Sequence, residues 1–307
     1  MKAAQYNSYG DPHVIEINSN APAPTPKEGQ ILVEVHAASA NPFDYKLRRG
    51  YMKDSIPLQF PVTIGGDFSG VVIDSGNSSE YKRGDEVYGQ ALILTGASGS
   101  MAEFTAANTK NLSLKPQNIS HDEAASLVLV GISAIQALEE HAKLQAGQKI
   151  LIHGGAGGIG SIAIQLEKHI GAYVITTVGT DDIEFVKSLG ADEVIDYNRE
   201  KFQEKVHYVD VVYDAVGKTI EESATVLKDG GVLVSMADVD GIKREGITAI
   251  AQNSGVTTAR LQRLKELVES GVIKPQIAKT FSLEQAAEAY DFLENSHPKG
   301  KVVVHIK

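Results

Sequence analysis

The chain has 307 residues, 42% of them hydrophobic and 22% charged, which is ordinary globular material and enough for two domains. A net charge of −10 and a pI near 5.4 argue against nucleic acid or an anionic membrane as partner, and no apolar run is long enough to span a bilayer. The absence of cysteine removes disulfides, a thiol nucleophile and thiolate metal sites; an N-terminus, MKAAQYNSYG, with neither an apolar signal core nor an arginine-rich helix predicts a cytoplasmic protein.

Residues 30–37 alternate, with Ile31, Val33 and Val35 on one side, and short runs at 71–73, 86–90 and 103–106 are separated by glycine, proline and aspartate. The first part of the chain is therefore expected to be mostly β structure with turns. Residues 21–27, APAPTPK, predict an exposed extended connection. In residues 41–50, NPFDYKLRRG, a turn at Asn41 and Pro42 leads into a short helical segment bearing Asp44, Lys46 and Arg48, which taken alone reads as a solvated charged turn. The glycine cluster GGDFSG at 65–70 lies between strand-like runs with no amphipathic helix behind it, and predicts tight turns of positive φ. Residues 123–138 are helical in pattern and apolar on most sides, a plausible link between domains.

The most informative stretch is KILIHGGAGGIG at 149–160, where the apolar run of a buried strand meets glycines and then an amphipathic helix. Gly155, Gly157 and Gly160 spell G-x-G-x-x-G, which serves a tight turn, a close backbone approach to a pyrophosphate and close helix packing. The helix that follows shows Ile159, Ile162, Ala163, Leu166 and Ile170 on one face, and its N-terminus is expected to receive an anion. Strands at 172–178, 193–196, 209–214 and 232–236 then alternate with helices at 181–189 and 218–227, the signature of a doubly wound parallel sheet. After Met236 the pattern is irregular until Thr257 or Thr258 caps a helix with core face Leu261, Leu264, Leu267 and Val268, ended by Gly271. Ser282 and Gln285 form a capping box for a helix at 283–293, and 301–306 reads as a final strand. Residues 154–160 and Tyr197 with Lys201 also imitate a short-chain dehydrogenase, but here the tyrosine ends a strand and follows the glycines too soon.

With these stretches in family order, the chain resembles the zinc-independent quinone oxidoreductases and enone reductases of the medium-chain dehydrogenase/reductase superfamily over essentially its full length. The resemblance is carried by NPFDYKLRRG, PVTIGGDFSGVV at 61–72, GDEVYG at 84–89, SMAEF at 100–104 and LVLVGISAIQAL at 127–138. It continues through LGADEVIDY at 189–197, DVVYDAVG at 210–217 and KGKVVV at 299–304. It implies a Rossmann doubly wound parallel sheet at residues 123–272 and a β-rich GroES-like domain at 1–122 with 273–307, with coenzyme and substrate in the cleft between them. Asn41 and Gly66 stand where zinc alcohol dehydrogenases carry catalytic Cys and His, and the nine histidines form no ligand pair, so no metal is expected.

The activity implied is NADPH-dependent hydride transfer to a quinone or an α,β-unsaturated carbonyl compound. Lys46, Asn41 and Tyr51 are the catalytic candidates, with Tyr45 and Tyr88 as further possible proton donors. The NADP(H) contacts implied are Asn41, Lys46, Ser133, Gly155, Ala156, Gly157, Gly158, Ile159, Gly160, Gly179, Thr180, Tyr197, Val216, Ala237 and Lys301. The second strand ends uncharged at Gly179 and Thr180, while Asp181 and Asp182 fall in the first turn of the next helix and no basic residue follows. A modest preference for NADPH is expected. A dinucleotide-binding structural or sensor protein with little turnover is the alternative, and analogy with the family implies a homodimer.

Overall fold

A computed structural model describes residues 1–307. The chain divides into two compact units, one of Met1–Leu129, Val256–Glu269 and Pro275–Lys307, the other of Val130–Gly255 and Ser270–Lys274. In the first unit, β1 (Ala3–Tyr6) pairs antiparallel with β2 (Ile15–Asn18) and β4 (Val62–Thr63). A seven-stranded sheet runs through β15 (Ile277–Ser282), β16 (Lys301–His305), β3 (Gln30–Ala40), β5 (Asp67–Asp74), β6 (Glu86–Gln90) and β8 (Leu112–Leu114), with β7 (Phe104–Asn108) also on β3. The alternation of β3 places Ile31, Val33 and Val35 in one core with Phe68, Val72, Val87 and Leu112. A second core gathers Tyr6, Phe281, Tyr290 and Val302, with Tyr290 supplied by α7 (Ala286–Asn295). The turn into α7 is capped as expected, the Ser282 N–H donating to Gln285 Oε1 at 3.2 Å.

The cluster at 65–70 departs from the expectation of successive turns. Only Gly65 has positive φ, +90°, and β5 begins at Asp67. Gly70 lies inside that strand, where a Cβ would overlap the Glu34 carbonyl, so its role is the close approach of β5 to β3.

The second unit is a six-stranded parallel sheet. Its centre is β9 (Lys149–His153), with β10 (Tyr173–Val178) and β11 (Glu193–Asp196) to one side and β12 (Val209–Asp214), β13 (Leu227–Ser235) and β14 (Thr248–Ala251) to the other. Strand order therefore reverses direction at β9, the point at which open α/β sheets bind ligands. Leu151, Ile175, Val212 and Leu233 fill the core on one side. Strand β14 has no counterpart in the sequence reading, because the four residues TAIA are recognisable as a strand only through their pairing with β13. No helix is long and apolar enough to cross a membrane.

Helix α3 (Gly158–Ile170) is buried without interruption from Gly160 to Glu167, rather than along one face. That encloses Glu167, whose two carboxylate oxygens have no hydrogen-bond partner, and burial pushes its pKa up to about 8. The fold thus holds the group protonated at neutral pH, whereas the unfolded chain ionises it in the ordinary carboxylate range. Its contribution to stability is complete in acid and is lost as the pH rises through about 8. Thermal melts from pH 6 to pH 9 should show wild type losing more stability than Glu167→Gln, by at least about 2–4 °C, the shift that accompanies about 1 kcal/mol in a domain of this size. Parallel losses in both proteins would mean that the carboxyl is ionised throughout.

Candidate coenzyme and catalytic site

At the carboxyl end of β9, Gly154 turns the chain with φ +77°, and the N-cap Gly157 is extended before α3 starts at Gly158. The tight turn of the glycine motif is therefore made by the residue just before it. Gly155 and Gly160 are crowded: a Cβ on the first would overlap Thr176 Oγ1, and one on the second the Gly154 carbonyl. Gly157 differs, since a Cβ there would meet only the Gly154 carbonyl oxygen, at 3.4 Å. The stretch Gly157, Gly158 and Ile159 is partly exposed, and the first N–H groups of a helix have no intrahelical acceptor. An open backbone cradle at a helix N-terminus fits a pyrophosphate.

Of the other residues expected on the coenzyme, Val216, Ala237, Ser133, Gly179, Thr180 and Tyr197 belong to the second unit. Val216 follows β12 and packs beside the turn, 2.7 Å from a Cβ built on Gly154. Asp214, fully buried, accepts from the N–H groups of Val216 at 3.0 Å and Gly217 at 2.7 Å. Ala237, beyond β13, is 2.6 Å from a Cβ on Gly217. Ser133 is buried, its hydroxyl donating to Ser254 at 2.7 Å and its carbonyl accepting from Gln252 at 3.0 Å. After β10, the Thr180 hydroxyl donates to Asp196 Oδ2 at 2.6 Å, and Tyr197, beyond β11, brings its hydroxyl to 3.2 Å from a Cβ on Gly179. Beneath the glycine turn the structure adds His153, whose ring nitrogens sit 3.0 Å from the hydroxyls of Thr177 and Ser223. Burial lowers its pKa to about 4, so the ring is neutral. A polar residue closing the run KILIH was the only trace of it in the sequence.

In the first unit, Asn41 sits between β3 and α1 (Pro42–Arg48) and is buried with both ends of its amide engaged. Its Nδ2 donates to Asp67 Oδ2 at 2.8 Å, its Oδ1 accepts from Lys301 Nζ at 2.5 Å, and its backbone N–H donates to Asp44 Oδ2 at 2.8 Å. Lys301 also donates to the Ala40 carbonyl at 2.7 Å, and Tyr290 to Asp44 at 2.9 Å. Lys301 is thus a buried member of this network. Burial pushes Asp44 up to about 7, raises Asp67 and lowers Lys301. The reading of this segment as a solvated charged turn is corrected for Asp44 and for Arg48, which is fully buried and paired with Glu294. Lys46 alone among the three faces solvent. Tyr51 is 69% exposed, whereas Tyr88 is fully buried with its hydroxyl donated to the Leu261 carbonyl at 2.6 Å, which removes it as a proton donor.

Residues 27–117 match the alcohol dehydrogenase GroES-like domain and residues 189–304 the zinc-binding dehydrogenase family. A 2-methylene-furan-3-one reductase of Solanum lycopersicum is 39% identical over 99% of this chain and 79% of its own length. The chain belongs to the medium-chain dehydrogenase/reductase superfamily, in its NAD(P)H-dependent quinone oxidoreductase and alkenal/one reductase branch. A chloroplastic NADPH-dependent alkenal/one oxidoreductase of Arabidopsis thaliana is 38% identical, with the same coverage of 99% and 79%. The structure of a quinone oxidoreductase from Coxiella burnetii superposes with a TM-score of 0.91 at 34% identity, covering 100% of this chain and 99% of that one. The zinc in the second family's name finds no donor set here. Gly66 has no side chain, the Asn41 amide is taken up by Asp67 and Lys301, and nowhere do three His, Cys, Asp or Glu side chains converge.

Because Gly157 borders open space, Gly157→Val should fold with a melting temperature near wild type yet lose dinucleotide binding, while Gly160→Val should be strongly destabilised by its overlap with Gly154. Fluorescence titration with NADPH and a thermal melt check both; undiminished NADPH affinity in the Gly157 variant would remove the loop from the site.

Proposed function

We propose that the protein is an NADPH-dependent reductase of quinones or α,β-unsaturated carbonyl compounds that operates without a metal. The observation that carries this reading is the open backbone at Gly157 to Ile159, on the carboxyl edge of the sheet where the strand order reverses. Relatives named for a methylene-furanone and for alkenals and enones, and a structural neighbour named for quinones, point to conjugated acceptors. The nicotinamide supplies the hydride. Addition to a conjugated carbon leaves negative charge on oxygen, and a modest donor suffices to stabilise it. Lys46, the exposed cation of α1, is assigned that role, and Tyr51 or solvent the delivery of the proton. Asn41 acts through its fixed position, clamped by Asp67 and Lys301.

The coenzyme is NADPH by a modest factor, since β10 ends without an acid and Asp181 and Asp182 lie in the 3₁₀ turn that follows. NADPH oxidation measured against quinones, enones and simple aldehydes tests the reading. Consumption is expected with the first two classes only, with kcat/KM about tenfold higher for NADPH than NADH, or about 1.4 kcal/mol. A fluorescence change without consumption by any acceptor would favour a dinucleotide-binding protein instead. Lys46→Ala should lower turnover at least about tenfold, with a smaller change in NADPH affinity. Turnover equal to wild type would return Lys46 to the status of a surface cation.

A further inference from the structure

An NADP-selective sheet needs a cation near the end of its second strand, where NAD-selective sheets carry an acid. The loop after β10 has none, only Asp181 and Asp182. The third strand brings one to it. Asp196, the last residue of β11, accepts the Thr180 hydroxyl on Oδ2 at 2.6 Å, and Arg199 Nε lies 3.3 Å from that same oxygen. The other oxygen accepts the Asn198 N–H at 3.0 Å, and the Arg199 N–H donates to the Asp196 carbonyl at 2.9 Å, which folds residues 196–199 into a tight turn. One carboxylate oxygen therefore ties the Thr180 loop to the guanidinium. Tyr197, in the same turn, puts its hydroxyl against Gly179. The Arg199 side chain is 71% exposed, and Asp196 engages only its Nε edge, so the terminal amino groups keep their donors for an anion.

We propose that Arg199 is the residue that selects a 2′-phosphorylated coenzyme, its guanidinium held by Asp196 beside the Thr180 loop. The inference rests on the NADPH reading given above and supplies its missing cation. It also accounts for a preference that is modest rather than large: Arg199 shares its charge with Asp196, and Asp181 and Asp182 directly follow Thr180 in the loop. An exposed guanidinium that merely neutralised Asp196 would show the same ion pair but would not discriminate between coenzymes.

The test titrates the full-length protein, wild type and Arg199→Gln, with NADPH, NADH, 2′,5′-ADP and 5′-AMP. The variant should bind NADPH and 2′,5′-ADP about tenfold more weakly and NADH and 5′-AMP within about twofold of wild type. Arg199→Lys should recover part of the loss, and added salt should erode the wild-type preference for NADPH more than that of the glutamine variant. An equal loss for phosphorylated and unphosphorylated ligands would make Arg199 a prop for the loop and overturn the proposal. So would an undiminished NADPH preference in the variant. The wild-type ratio is read first and separately: without a preference for NADPH, the coenzyme reading falls and takes this assignment with it.

Discussion

The second unit depends on how closely the start of α3 is pressed onto the end of β9. A single methyl on Gly160 would overlap the Gly154 carbonyl, and one on Gly155 would overlap Thr176. This contact holds the first turn of the helix at the edge of the sheet, with its N–H groups directed outward and its positive end at the switch point. The helix cannot tilt away to relieve crowding, because it is buried on all sides through Glu167. Below it, neutral His153 bridges Thr177 and Ser223, tying β9, β10 and α5 (Ile220–Val226) together under the loop.

The first unit achieves the same rigidity by different means. Asp44, Asp67 and Lys301 are charged groups taken fully out of water, and burial drives each of them toward its neutral form. Such a network is poor evidence of net stability, but removing one member typically costs about 3–5 kcal/mol, so its geometry is tightly specified. Asn41 stands at its junction and links the end of β3 to the start of α1, the helix that presents Lys46. Asn41, which the family resemblance aligns with a metal ligand of zinc enzymes, is here a hydrogen-bond hub.

These buried groups also set the pH range of the fold. His153 and His121, both lowered to about 4 with burial as the largest cause, add stability above the ordinary histidine range that is lost as the pH falls toward about 4. Glu167 acts in the opposite direction, its contribution disappearing as the pH rises through about 8, and Asp44 does the same through about 7. Of these groups, His153 and Glu167 lie under the glycine loop and in its helix, and the fold favours the neutral form of both.

The residues alone determined the two-part architecture, the glycine loop, the alternation around β9 and the capped helix at α7, because each is written in short-range signals: strand and helix periods, turn glycines and a cap three residues long. The face of α6 (Thr258–Glu269) was legible in the same way, with Leu261, Leu264, Leu267 and Val268 all buried. Tertiary structure alone decided which charges are inside. Asp44 and Arg48 read as a solvated turn, and Glu167 lies outside the apolar face read for its helix, yet all three are buried once the elements covering them are in place. It also decided which distant residues meet: Asn41 finds Lys301 across 260 positions, and Arg199 reaches the Thr180 loop through Asp196 on a neighbouring strand. Local sequence carries no record of such pairs, since their energy arises only when strands far apart in the chain are brought side by side and water is excluded between them.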